Sequence, residues 1–158
     1  MARELEAFAR EVELFPDDAA LWRTVPGVAN SAGNLALHVC GNLKHFVGAV
    51  LGGSGYVRNR EAEFATRSGR REDVARQVRE TAGVVSTVLS RLPATVLEAP
   101  YPEAHDGVQL RCDTFLLHLS VHLAFHLGQA GYLRRALTGD ARTSGAVSLA
   151  ALARPDRG

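Results

Sequence analysis

A chain of 158 residues is long enough for one domain and short for two. Apolar side chains make up 46 %, enough to build a core and to exclude wholesale disorder. With 18 Lys and Arg against 17 Asp and Glu, the net charge of +1 excludes the strong field that grips nucleic acid or an anionic membrane.

Four helical segments are predicted, and no internal repeat. The first runs from Arg3 to Phe15, with Leu5, Phe8, Val12 and Phe15 at helical spacing, and Pro16 ends it. A linker from Pro16 to Asn30 holds Trp22 and the turn pair Pro26-Gly27. The second helix is predicted from Ser31 to Leu51, stopped by Gly52-Gly53. At about 100° per residue, Ser31, Asn34, His38, Asn42 and His45 form one polar stripe between large apolar residues. Only Lys44 is charged in this segment, so the stripe reads as the lining of an internal pocket.

Residues 52–69 read as a long loop packed with Arg58, Arg60, Glu61, Glu63 and Arg67. The third helix is predicted from Arg70 to Leu92, with Val74, Val78, Thr81, Val85, Val88 and Leu92 as a bundle seam. A second long connection, 93–112, carries an Asp106-Gly107 turn signal compatible with a short β-hairpin. The fourth helix is predicted from Asp113, as N-cap, to Leu137. Its core stripe is Phe115, Leu119, His122, Leu123, His126, Ala130, Leu133 and Leu137. The opposite face, with Val121, Ala124, Gly128, Gly131 and Tyr132, reads as packing against a neighbouring helix or a second subunit. These segments predict an all-α four-helix bundle over residues 1–140, with long connecting loops, and a mobile tail over 141–158.

His122 and His126 lie four residues apart, so they share one helix face one turn apart. His38 supplies a third imidazole from the second helix. Alone, a histidine on an apolar face is usually a core residue bonded to a carbonyl or hydroxyl. Three such rings need several partners, and an ion that takes neutral imidazole, such as zinc or nickel, satisfies all of them at once. His118 precedes His122 by one turn, so spacing alone leaves the pair 118/122 open beside 122/126. His45 is two turns from His38, too far to share its ion, and His105 reads as a solvated loop residue. Cys40 points away from His38, and the two cysteines form no metal-binding pair. The N-terminal sequence has no signal-peptide pattern, and no run reaches the roughly 18 apolar residues of a membrane span. A cytoplasmic protein is expected.

The segments NSAGNLALHVCGNLKHFVGAVLGG and FLLHLSVHLAFHLGQAGYLRR, with the linker RNREAEF, resemble the DinB-like superfamily, regarded as metalloenzymes. The likeness runs from the first helix to Leu137. It implies an up-down-down-up bundle, commonly dimeric, with a three-histidine metal site. Carried over by position, it implies His38, His122 and His126 as ligands, followed by the family's Gly-Gln at Gly128 and Gln129. Around them Asn34, Asn42, His45, His118 and Gln129 are expected to orient the ligands or line the pocket.

Relatives with an assigned activity use bacillithiol, mycothiol or glutathione in transferase or isomerase chemistry. The function expected is therefore a metal-dependent, thiol S-transferase-like reaction on a small electrophile, with Arg58 and Arg60 holding the carboxylates of a low-molecular-weight thiol. No carboxylate occupies a helical position near the triad as a general base, which favours activation of a thiol by the ion. Metal-assisted hydrolysis is the alternative within enzymes. A non-catalytic, stress-related dimeric binding module with a structural metal is the alternative outside them.

Overall fold

The computed structural model describes residues 1–105 and 107–144. Its helices are α1 (Ala2–Glu13), α2 (Asp18–Leu21), α3 (Ala32–Leu43), α4 (Arg60–Ala65), α5 (Arg71–Arg91), α6 (Ala94–Glu98) and α7 (Cys112–Thr138). The described residues contain no strand; the expected hairpin is reduced to isolated bridges, Pro100 with Arg111 and His105 with Val108. Asp106 lies outside the described residues, as does most of the tail expected after Asp140.

The four long helices form the bundle. α1 buries Leu5, Phe8, Val12 and Phe15, the stripe predicted from spacing. Each such side chain contributes about 1.5–3 kcal/mol on leaving water. α5 meets it antiparallel: Arg71 at its start donates to the Phe15 carbonyl, and Arg79 pairs with Glu13 and Glu6. α3 runs parallel to α5, because Gly48 lies against Val84 and Gly52 against Val88. It runs antiparallel to α7, where His38 meets His122 and His126. The order is therefore up, down, down, up.

Three local details differ from the sequence reading. The second helix changes at Lys44 into a π-helix that runs to Leu51, and the Tyr101 hydroxyl donates to the Phe46 carbonyl inside that stretch at 2.7 Å. π-turns are uncommon and often accompany functional sites. The long loop 52–69 contains α4, capped by the Asn59 side chain. Asp113 is not the N-cap of α7; the cap is Arg111, whose guanidinium instead pairs with Asp113.

Gly131 does not serve an outside partner. It is buried, and a Cβ there would meet the Glu11 carboxylate, which takes a 2.5 Å hydrogen bond from Arg134. That pair is wholly inside, with Arg134 at 0 % and Glu11 at 1 % exposure. Ser144 N donates to the second Glu11 oxygen at 3.0 Å, so the pair also ties the chain beyond α7 back to α1. Val121 and Tyr132, by contrast, stay exposed at 61 % and 75 %. Among the described residues no helix is long and apolar enough to cross a membrane.

Candidate metal centre

His38 comes from the middle of α3, and His122 and His126 come from successive turns of α7. The antiparallel crossing points their Nε2 atoms at one another: His122 Nε2 lies 3.2 Å from His38 Nε2 and 3.1 Å from His126 Nε2. All three ligand atoms fall within 4.8 Å of one another.

The outer nitrogens fix the protons. His38 Nδ1 lies 2.9 Å from Glu63 Oε2. Glu63 takes bonds from Arg58 Nε and Nη2, both at 2.8 Å, a bidentate clamp on its two oxygens. A carboxylate only accepts, so Nδ1 donates to it across the 2.9 Å contact, Arg58 Nη2 lying farther off at 3.2 Å, and His38 Nε2 is a bare lone pair. His126 Nδ1 donates in the same way to Gln129 Oε1 at 2.8 Å, which bares its own Nε2. Only His122 can place a proton among the three nitrogens, and it can satisfy one neighbour, not both.

No second proton comes from acid–base equilibrium at neutral pH. Burial lowers the pKa of His38 despite the attraction of Glu63, and burial lowers that of His126. His122 is pushed down to about 4, by burial first and then by the neighbouring imidazoles. Neutral imidazoles with converging lone pairs are the donor set that zinc or nickel takes. The residues fit a metal ion.

A family model for the DinB superfamily matches residues 1–130, a span that includes all three histidines. The chain belongs to the DinB superfamily. No curated protein and no solved structure gave a significant match.

In this DinB protein Glu63 is the residue that sequence reasoning missed, and it overturns the expectation that no carboxylate lies beside the triad. It comes from α4, not from the four long helices. Three features bring it in. Asn34, locked in a capping box with Ser31, donates its amide to the carbonyls of Glu63 and Thr66 at 2.9 and 2.8 Å. Gly41 leaves room on α3, since a Cβ there would overlap the Glu63 carboxylate. Phe64 then lies against the His38 ring, with centroids 4.8 Å apart.

The other expected site residues divide. Arg58 is committed to Glu63. Arg60 stacks on Phe64 at 5.1 Å, one ring removed from His38. Asn42, one turn beyond His38, is 8 % exposed, and its Oδ1 has no hydrogen-bond partner among the described residues. His118 is exposed and stacks on His122 at 6.2 Å and on Phe115 at 5.9 Å. His45, in the π-helical turn, lies 3.3 Å from Glu103. His105 is not a solvated loop residue: it packs on Phe46 and Phe115, and its buried Nε2 has no partner among the described residues. Cys40 is buried as expected, and burial pushes its thiol up to about 11, so it is no nucleophile.

Proposed function

We propose that this protein holds a divalent transition metal, zinc or nickel, on the Nε2 atoms of His38, His122 and His126, and transfers a low-molecular-weight thiol to a small electrophile. The observation that carries the reading is the convergence of three imidazole nitrogens with at most one proton among them. Bound there, the ion would supply a Lewis-acid position at which a thiol is held as its thiolate at neutral pH.

Each residue around the triad has a part in this reading. Glu63 takes the Nδ1 proton of His38, and Gln129 takes that of His126, so each ring keeps one tautomer and one orientation. Arg58 clamps Glu63 in place. Arg60, stacked above Phe64, is the guanidinium left to hold a carboxylate of the thiol. On the π-helical side His118, exposed and stacked on His122, offers a hydrogen bond to the thiol's polar backbone.

Hydrolysis is the weaker reading. It asks for a base that reaches a water at the convergence point, and Glu63 stands behind the His38 ring with both oxygens engaged. The reading also takes the protein as a cytoplasmic homodimer, a second copy covering the apolar strip of Leu117, Val121 and Phe125 along α7, each at least 60 % exposed. The test is a conjugation assay with bacillithiol, mycothiol and glutathione against a panel of electrophiles, run beside elemental analysis. Metal-dependent conjugation that disappears in His122→Ala supports the reading. A metal-loaded chain that neither binds nor conjugates any thiol refutes it and favours the binding module.

A further inference from the structure

On the side of the triad away from Asn42 and His118, α3 and α7 border a cleft with the linker. One turn before His38 stands Leu35, and one turn after His126 stands Gln129. Both line a cavity of about 560 Å³, roofed by the linker through Val25 and Val28 and floored by Tyr132 and Leu133 of α7. Apart from the Tyr132 phenol, its lining carries no ionisable side chain. The volume falls within the range of small-molecule sites, roughly 300–1,000 Å³. Gln129 has one amide oxygen on His126 Nδ1, and its amino group makes no hydrogen bond among the described residues. The cleft is therefore mainly apolar and uncharged; Asn30 of the linker adds a second side-chain amide, and the Gln129 amino group is the N–H donor at the end that adjoins the triad.

We infer that this cleft is the binding site for the electrophile, and that the electrophile is a neutral, largely apolar molecule carrying a hydrogen-bond acceptor, of the carbonyl, epoxide or nitro type. No charged side chain lines the cleft to draw an ion into it. An apolar body fills the cleft, and its acceptor atom meets the Gln129 amino group on the outer, Nδ1 side of His126, one ring from the convergence point. The polar thiol then occupies the opposite side of the triad. The assignment of the ligand as the electrophile rests on the proposed function; the affinity of the cleft for apolar molecules does not.

Titration of the full chain with the neutral fluorescent probe N-phenyl-1-naphthylamine tests this. One saturable site per chain is expected, weakened about tenfold or more by Ala136→Trp or by Ala29→Trp, which build a clash into the cleft from opposite walls. Val121→Asp, on the outer face of α7, is expected to leave the site intact. Loss of binding in Val121→Asp with retention in both tryptophan variants would place the probe on that outer face and overturn the proposal. So would an absence of saturable binding in the unaltered chain. Zinc content is read on the same samples: probe binding without zinc refutes the metal reading alone, and zinc without probe binding refutes the cleft alone.

Discussion

Gly41 and Glu63 occupy one space: the helix has no side chain at position 41 because the Glu63 carboxylate lies where the Cβ would be. A structural role for the glycine in α3 and a role for the carboxylate in the site are thus one constraint. Gly41→Ala gains up to about 1 kcal/mol of intrinsic helix propensity but forces Glu63 off His38. Its melting temperature is expected to change little or fall, while zinc affinity, measured by competition with a chromophoric chelator, falls about tenfold. An alanine variant with unaltered zinc affinity would show that Glu63 does not orient His38.

Glu63→Gln keeps the shape and removes the charge. It leaves Arg58 without its partner and takes the strong acceptor from His38 Nδ1. Zinc affinity is expected to drop about 10–100-fold, the usual cost of losing the group behind a histidine ligand. Arg58→Lys should move it in the same direction, since an ammonium cannot make the bidentate clamp. The same chelator competition reads both variants, and equal affinity in Glu63→Gln would contradict the role assigned to it.

The metal-free chain should lose stability in mild acid. The three imidazoles have folded-state pKa values below the ordinary value of roughly 6.5, so across that gap the unfolded chain binds more protons. Stability is therefore full above the unfolded value and falls with pH toward about 4, where His122 titrates in the fold. Thermal unfolding in chelator, from neutral pH to about 4.5, should show a shallower decline for His122→Ala than for the unaltered chain. Parallel declines would mean that the rings are not held neutral.

Glu11 and Arg134 make a second buried ionic contact with no link to the triad. Glu11→Gln leaves the fully buried guanidinium with only the more distant Asp140 carboxylate, at 3.6 Å, as countercharge, and urea unfolding should show a loss of about 3 kcal/mol, the lower end for a broken buried pair. The pair Glu11→Leu with Arg134→Met should recover most of it, because an apolar pair needs no mutual neutralisation. A loss below about 1 kcal/mol, the level of an exposed pair, would contradict the burial.

Much of this was legible from periodicity. The buried stripes of α1 and α5 follow the spacing of Leu5, Phe8 and Val12 and of Val74, Val78 and Val85, because long helices impose one period over many residues. His122 and His126 were visible as a pair for the same reason. Spacing could not choose between 118/122 and 122/126; that choice came from the resemblance, and the α3–α7 crossing brings 122 and 126 together with His38. Glu63 was hidden because it lies 25 residues from His38 on a helix of six residues, too short to carry a periodic signal. The signals that could have found it were Gly41 in mid-helix and the Asn59 cap ahead of Arg60. The π-helical turn after Leu43 is likewise invisible to a projection at a fixed angle, which is why the placement of His45 did not follow from the stripe. His105 was read as solvated because its loop looked irregular, and long-range packing on Phe46 and Phe115 decided otherwise.

The most direct measurement is X-ray absorption, together with elemental analysis, on the chain purified without added metal and on His122→Ala. The account predicts one zinc or nickel ion per chain, bound to three imidazole nitrogens, and lost from the variant while its helix content by circular dichroism is kept. An ion retained undiminished in His122→Ala, or an unaltered chain that takes up no divalent metal even when it is supplied, would contradict it.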